Sequence, residues 1–201
     1  MKDPTCFEAL SQFTKALSVA LHERDPYTRF HCERVDQLAC EIGIACGLSA
    51  GEVTTLRISA TLHDIGKIGI ADSILLKPAG LDRDEWEEIK THSERGQRIV
   101  CATLLPNADE IGVIIRHHHE YFNGAGYPDG LAGEDIPLLS RILSIADSYD
   151  AMATPRVYHR ARSHDEIMEV LRSEENVKSD PFVFRKFAEI IERSACRTGL
   201  S

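Results

Sequence analysis

The sequence has no hydrophobic run long enough to cross a membrane. A transmembrane helix needs about 20 consecutive, predominantly apolar residues, and polar or charged residues interrupt every apolar stretch of this chain sooner. The start, Met1-Lys2-Asp3-Pro4, also lacks the apolar core of a signal peptide. We therefore expect a cytoplasmic protein that is not inserted into a membrane.

The sequence also lacks closely spaced cysteine pairs and an excess of positive charge. None of the six cysteines forms a Cys-x-x-Cys pair, which excludes zinc-ribbon and thioredoxin-type motifs. The net charge of −9 argues against DNA binding, because phosphate backbones are bound by surplus Lys and Arg. A small anionic ligand stays compatible with this charge if metal ions and a few local cations surround it. We expect buried, unpaired thiols at Cys6, Cys32, Cys40, Cys46, Cys101 and Cys196.

Helical periodicity runs through nearly the whole chain. Apolar residues recur at helical spacing over residues 7–21 and 35–46, and Asp25-Pro26 separates the two segments. Capping-box patterns, in which a Glu follows a Ser or Asp at the third position, predict further helix starts. These starts are Ser49, Asp82 and Ser163. We expect an all-α fold, a compact bundle of several helices.

The stretch His63-Asp64-Ile65-Gly66-Lys67 contains an imidazole, a carboxylate and an ammonium group, and it follows an apolar segment predicted to be helical. We expect that helix to end at Gly66, with glycine in the left-handed cap conformation, so that His63 and Asp64 serve one site. A carboxylate can bridge two cations and an imidazole binds one, so the pair fits a centre of one or two metals. The alternative for such a pair alone is a helix cap and its neighbour.

Other potential ligands are scattered along the chain. Asp147 is the most informative, because a carboxylate in the apolar run that follows Pro137 is costly unless it is paired or metal-bound. His31 shares a stripe with apolar residues, where a core histidine is the alternative. The run 117–119 is three histidines, and neighbours on a helix point about 100° apart, so at most two of them face one point. His92 alone would be unremarkable.

Two further stretches offer contacts to an anionic ligand. The Gly-rich loop at 121–130 lets the backbone approach a phosphate or base closely, with Tyr127 as a stacking surface; the alternative is a cluster of turns. Arg156 and Arg160 belong to a basic cluster in an acidic protein, and a solvated loop is the alternative there. For Asp150, a supporting role beside a ligand and a structural role both stay open.

These motifs, in this order, resemble the HD-GYP family, bacterial phosphodiesterases of cyclic di-GMP within the HD-domain metal-dependent phosphohydrolases. The resemblance predicts an HD-GYP domain at 25–195 with a Gly-Tyr-Pro loop, followed by a tail at 196–201. Residues 1–24 precede it, and we expect them to form a helix that is a linker, a dimerisation element or part of the domain. The motifs are Asp25-Pro26-Tyr27-Thr28-x-x-His31, His63 to Ile70, His92, His118-His119-Glu120-x-x-Asn123-Gly124-x-Gly126-Tyr127-Pro128 and Arg141 to Asp147.

The resemblance implies a two-metal centre. Iron or manganese suits ligands without thiolate, and zinc, nickel or cobalt stay open. Tyr27 stands where some members carry a Glu associated with a third metal, so we expect two ions. His117 is expected not to bind. The implied set is His31, His63, Asp64 and Asp147 around one ion, with Asp64 bridging to a second ion held by His92, His118 and His119.

The implied reaction is hydrolysis of cyclic di-GMP to pGpG or GMP by attack of a hydroxide that bridges the two ions. Asp64 and Lys67 are the expected catalytic residues, and Lys67 is placed on the scissile phosphate. Gly126-Tyr127-Pro128 and Arg156 would hold the far half of the dinucleotide. His159 replaces a basic residue of the family pattern, and Arg160 would compensate for it.

Alternatives remain for the function. One is an HD-domain hydrolase of another nucleotide, such as cyclic GMP-AMP. The other is a non-catalytic cyclic-dinucleotide sensor or docking module, against which the intact His63, Asp64 and Lys67 argue. A homodimer and a signalling partner protein also stay open.

Overall fold

The computed structural model describes residues 14–21, 23–25, 28–103, 106–155 and 160–199. Over these ranges the chain is built of helices and turns, and its extended pairings are isolated bridges, Asn123 with Ala132 and Glu175 with Ser179. The expected all-α fold is confirmed. None of the described helices combines the length and the apolar character that a bilayer span requires.

The helices follow one another with short connections. Two 3-10 helices, Ile65–Gly69 and Gly133–Asp135, lie after α3 and before α8. The α-helices are α1 (residues 14–21), α2 (Thr28–Ala45), α3 (Ala50–Leu62), α4 (Asp72–Leu75), α5 (Arg83–Lys90), α6 (His92–Cys101), α7 (Ala108–Arg116), α8 (Leu138–Ala153), α9 (His164–Ser173) and α10 (Pro181–Ile191).

The predicted capping boxes at Ser49, Asp82 and Ser163 are confirmed. Each cap side chain accepts a hydrogen bond from the backbone N–H of the Glu three residues on. Each Glu in turn accepts one from the backbone N–H of the cap residue. Each box therefore satisfies two backbone donors at the start of α3, α5 and α9.

Two apolar cores hold the helices together. The main core joins α2, α3, α8 and α10 through side chains such as Val35, Leu56 and Phe187. A smaller core joins α1 to the ends of α3 and α7, where Leu21 packs with Leu62. The end of the predicted N-terminal helix thus packs inside the domain, while residues 1–13 lie outside the described part.

The predicted conformation of Gly66 is wrong. The helix α3 ends at Leu62, and Gly66 lies within the 3-10 helix that follows, without a positive φ. Its small size serves packing instead, because a Cβ at Gly66 would overlap the carbonyl oxygen of His92 and lie 2.6 Å from the backbone nitrogen of Gly96. Gly66 therefore lets the His63-Asp64 segment lie directly against the start of α6.

The cysteines follow the prediction in part. Cys32 and Cys40 are buried, and all the described cysteines are free thiols. The expectation of burial is wrong for Cys101, which is exposed, since it ends α6 on the solvent side. Cys6 lies outside the described residues.

Candidate metal centre

Helix ends bring the predicted ligands together. His31 lies in the first turn of α2, His63 and Asp64 follow α3, and Asp147 lies in the middle of α8. The remaining histidines sit at the start of α6 and just after α7. His92 begins α6 and is buried.

One group of ligand atoms gathers around His31. Its Nε2 lies 3.3 Å from Nε2 of His63 and 3.2 Å from Oδ1 of Asp147. The Nε2 of His63 is 3.5 Å from Oδ2 of Asp64. His31, His63 and Asp64 each offer one ligand atom within 4.8 Å of the others. All of these side chains have the chemistry of metal ligands.

A second group consists of His92, His118 and His119, whose ligand atoms also lie within 4.8 Å of one another. Asp64 lies between the groups, because its Oδ1 is 3.7 Å from Nε2 of His92 while its Oδ2 faces His63. The rings of His63 and His118 are 5.3 Å apart. The two groups therefore form one continuous cluster of donors with Asp64 at its centre.

Helix ends also set the orientation of the imidazoles. Three histidines direct Nδ1 to the carbonyl oxygen three residues earlier, which belongs to the last turn of a helix, where carbonyl oxygens are available to side chains. A carbonyl only accepts, so Nδ1 carries the hydrogen and Nε2 keeps its lone pair for the centre of the site. The pairs are His63 with Ala60 (2.7 Å), His92 with Ile89 (2.8 Å) and His118 with Ile115 (2.6 Å).

The unpartnered nitrogens fit a bound cation. Within the described residues, Nε2 of His92 and Nε2 of His118 are buried and have no hydrogen-bond partner. A buried polar atom without a partner costs free energy, and a metal ion removes that cost. Imidazole and carboxylate donors without thiolate suit a first-row divalent cation. The residues present therefore fit a divalent metal ion.

Burial and charge keep Asp64, His92 and His119 in their ligating forms. Burial alone would raise the pKa of Asp64, but Lys67, whose Nζ is 2.7 Å from Oδ2, and the nearby imidazoles hold it well below its usual range. Burial lowers the pKa of His92 to about 4 and that of His119 to about 3. Both imidazoles are therefore neutral at pH 7, as metal ligands must be.

Asp150 and Arg34 support His31 from behind. Asp150 Oδ2 lies 2.7 Å from Nδ1 of His31, and Arg34 donates from Nε to Oδ1 (2.5 Å) and from Nη2 to Oδ2 (3.0 Å). The sequence left the role of Asp150 open and gave none to Arg34. Helical spacing was the available signal, since Arg34 follows His31 by three positions and Asp150 follows Asp147 by three.

The Gly-Tyr-Pro loop folds back onto the histidines. A Cβ at Gly126 would overlap the backbone nitrogen of Tyr121, so only glycine permits this approach. The Tyr127 ring lies against the His119 ring, with centroids 4.9 Å apart, and Nζ of Lys90 is 5.7 Å from the Tyr127 centroid. The loop therefore forms one wall of the candidate metal centre.

The described contacts of Arg160, one of the predicted distal cations, are not with this wall. Arg160 pairs with Glu166, with Nη2 2.5 Å from Oε1, and its side chain is 75% exposed. Arg156 and His159 lie outside the described residues. Their predicted contacts with a ligand stay predictions.

The chain is similar to known proteins over most of its length. A family model described as HD domain matches residues 15–183. The cyclic di-GMP phosphodiesterase response regulator RpfG of Xanthomonas campestris is 37% identical over 174 residues, which cover 87% of this chain and 45% of the relative. The 3'3'-cGAMP-specific phosphodiesterase 2 of Vibrio cholerae is 35% identical over 178 residues, covering 87% of this chain and 33% of the relative. The chain thus spans less than half of either relative.

A solved structure shares the fold. The crystal structure of a cyclic GMP-AMP-specific phosphodiesterase of V. cholerae, V-cGAP3, superposes with a TM-score of 0.72 at 22% identity. The match covers 93% of this chain and 50% of that one. At this identity the likeness concerns the helical architecture alone.

Proposed function

This chain belongs to the HD domain family, as its HD-GYP resemblance predicts, and we propose that it is a metal-dependent phosphodiesterase that hydrolyses cyclic di-GMP. The observation that carries the proposal is the position of Asp64 between His63 and His92, with one carboxylate oxygen facing each imidazole. Such a carboxylate can be shared by two cations. The name of the Xanthomonas relative supports a cyclic dinucleotide as substrate.

In this proposal the two groups of donors hold one ion each. Iron or manganese fits best, and zinc, nickel or cobalt also accept such ligands. Asp150, with its bonds to His31 and Arg34, fixes the ring of the first ligand. The proposed ligands are His31, His63, Asp64 and Asp147 for the first ion, and Asp64, His92, His118 and His119 for the second.

The chemistry needs both the ions and the residues around them. When bound, two divalent cations supply an activated water and offset the charge that develops on the phosphoryl oxygens. Lys67, 17% exposed and beside Asp64, binds a phosphate oxygen and stabilises the departing ribose oxygen. Opening one P–O bond of the ring gives linear pGpG, and a second hydrolysis gives GMP.

The loop wall holds the rest of the dinucleotide in the proposal. Gly126 and Pro128 bring the backbone close to the ligand. Burial raises the pKa of Tyr127, so its phenol stays protonated and donates a hydrogen bond to a phosphate or base. Arg156 and Arg160 are proposed to bind the distal phosphate, and for Arg160 this requires release of its exposed pair with Glu166.

Cyclic GMP-AMP is the second candidate substrate. It is favoured by the 35% identity to the V. cholerae relative named for 3'3'-cGAMP. The two substrates share the phosphodiester ring and differ in one base, so the metal centre acts equally on both. Discrimination then falls to contacts with the bases.

The test is a comparison of substrates. Metal-loaded protein is incubated with cyclic di-GMP and with cyclic GMP-AMP, and the products are separated by chromatography. We expect pGpG or GMP from cyclic di-GMP, with a higher kcat/KM than for cyclic GMP-AMP. Turnover of cyclic GMP-AMP alone would select the second substrate. Binding of either nucleotide without turnover would instead support the sensor hypothesis.

A homodimer and a signalling partner stay predictions. Light scattering coupled to size-exclusion chromatography measures the mass of the particle directly, and a mass of one chain would contradict the dimer.

A further inference from the structure

His119 differs from the other histidines of the cluster in what holds its ring. Within the described part of the chain its ring nitrogens make no hydrogen bond, whereas His92 and His118 each bond a carbonyl through Nδ1. The ring contacts of His119 are stacking contacts, with centroids 3.9 Å from His118, 5.0 Å from His92 and 4.9 Å from Tyr127. Of these three rings, His118 and His92 are themselves proposed metal ligands. Tyr127 is therefore the contact that supports the His119 ring without being a ligand.

The backbone around Tyr127 is tied to the histidine segment. The Tyr127 N–H donates to the carbonyl oxygen of His119 at 3.2 Å. The buried carboxylate of Glu120 accepts through Oε1 from the N–H groups of Asp129 (2.7 Å) and Gly130 (3.1 Å). These bonds fix the path of the loop on both sides of Pro128.

The side chain of Asp129 closes the loop against α7. Arg116 donates from Nε to Oδ2 (2.7 Å) and from Nη2 to Oδ1 (2.6 Å), a two-pronged pairing that fixes geometry as well as distance. His117 adds a contact from Nε2 to Oδ2 at 2.8 Å. Arg116 also lies 3.1 Å from Glu94 on α6. The Arg116–Asp129 pair, which we call the clamp, therefore joins the loop to both α6 and α7.

We propose that the Arg116–Asp129 pair is a positioning device that holds Tyr127 against His119 and thereby fixes the orientation of this ligand for the second metal ion. Neither residue belongs to the proposed ligands of the metal ions. The inference rests on the metal centre of the proposed function and is independent of the nucleotide that is hydrolysed.

A cation site is the competing explanation for the same residues. His117, Glu120 and Asp129 offer ligand atoms within 4.8 Å of one another, and Nδ1 of His117 and Oε2 of Glu120 are buried without a hydrogen-bond partner in the described structure. However, Arg116 already occupies both oxygens of Asp129. Because both oxygens of this carboxylate are already paired with the guanidinium, the geometry favours the clamp.

The test is calorimetric titration of metal-free protein with Mn²⁺, using Asp129→Asn and Arg116→Gln. The first variant removes a negative charge and the second a positive charge, so a long-range charge effect would change the affinity in opposite directions. The clamp predicts the same direction for both: about a tenfold loss of affinity at one of two sites, as for other residues that orient metal ligands. Opposite shifts, or unchanged affinity, would overturn the proposal.

Three further variants complete the comparison. Glu189→Gln breaks an exposed pair with Lys186 and should bind Mn²⁺ like the wild type. Tyr127→Ala should reproduce the loss, and combining it with Asp129→Asn should add little, because both act through one contact. Tyr127→Phe keeps the ring and should retain the affinity. Additive losses, or loss of a third Mn²⁺ ion from Asp129→Asn, would contradict the clamp.

Hydrogen exchange measures how well the loop amides are protected in metal-free protein. In Asp129→Asn and Arg116→Gln the amides of Tyr127 and Gly130 should exchange faster than in Glu189→Gln. Equal exchange rates would overturn the proposal. Failure of the wild type to bind Mn²⁺ would refute the metal centre of the proposed function instead, and exchange would still decide whether the clamp exists.

Discussion

His31 and His63 face each other through their Nε2 atoms at 3.3 Å. The Nδ1 atoms of both rings face acceptors, Asp150 for His31 and the carbonyl oxygen of Ala60 for His63, so both Nε2 atoms are acceptors in the neutral rings. Two acceptors at this distance need a cation between them. Burial alone would lower the pKa of His31, but the hydrogen bonds of Asp147 and Asp150 outweigh it and raise the pKa to about 9. At this position His31 and His63 would hold a metal ion in place of that proton.

The support of His31 by Asp150 leads to the first prediction. Asp150→Asn removes the charge that orients His31 and strengthens it as a ligand, so the affinity for the first metal ion should fall about 10- to 100-fold. Competition with a chromophoric chelator measures this loss. Asp165→Asn, which changes an exposed carboxylate at the start of α9, is the control. Equal affinities of the two variants would contradict the role of Asp150.

The contact of Gly66 with the start of α6 gives a matched pair of glycine substitutions. Gly66→Ala forces a Cβ into the backbone of His92 and should lower the free energy of unfolding by about 1–3 kcal/mol or more. At Gly80 an added Cβ meets nothing within 4 Å and φ is not positive, so Gly80→Ala should change stability by less than about 1 kcal/mol. Urea unfolding compares the two. Similar effects would refute the packing role of Gly66.

The Asp129 clamp predicts a particular pH dependence. The hydrogen bonds from Arg116 hold the pKa of the Asp129 carboxyl well below its usual range, despite some desolvation. A carboxyl with a lowered folded pKa stabilises the protein fully above its unfolded pKa of about 3.9 and loses this contribution as pH falls through the folded pKa.

Wild type should therefore exceed Asp129→Asn in stability at both pH 7 and pH 5, by about 0.2–1 kcal/mol for a partly exposed pair. The difference should shrink below about pH 4. Urea unfolding of chelator-treated protein provides the measurement. A difference that fails to shrink below about pH 4 would show that the carboxyl is not held in its ionised form.

Substitution of Lys67 distinguishes a role in catalysis from a role in metal binding. Lys67→Met removes the cation proposed to act on the phosphate, while Asp64 remains free to bind metal. We expect kcat to fall about 10²- to 10³-fold, as for the loss of one stabilising donor, with the metal content unchanged. Lys77→Met, which removes the partner of Glu85, serves as the control. Full activity of Lys67→Met would exclude the residue from the mechanism.

Local signals in the sequence predicted the helix starts, and the motif resemblance supplied the proposed ligands. Ser49, Asp82 and Ser163 act within one turn of chain, and their capping geometry depends on nothing else. The motif resemblance singled out His92, although its own neighbourhood gave no reason for burial. Its burial depends on packing between segments that are distant along the chain.

Contacts between residues distant along the chain could not be predicted from the sequence. Gly66 was assigned to a cap because glycine often ends helices, whereas its real constraint is the backbone of His92. Arg34 and Asp150 meet only once α2 and α8 pack together. The pairing of Asp129 with Arg116 likewise requires the loop to fold back onto α7. Such relationships need the tertiary structure.

The central claim is that Asp64 joins two metal sites into one catalytic centre. The most direct measurement is elemental analysis of anaerobically purified wild type and Asp64→Ala, run beside chromatography of the products formed from cyclic di-GMP in the same samples. The account predicts about two divalent ions per chain with pGpG or GMP in the wild type, and neither stable metal loading nor turnover in the variant, with helix content preserved. Full metal content and full turnover in Asp64→Ala would contradict it.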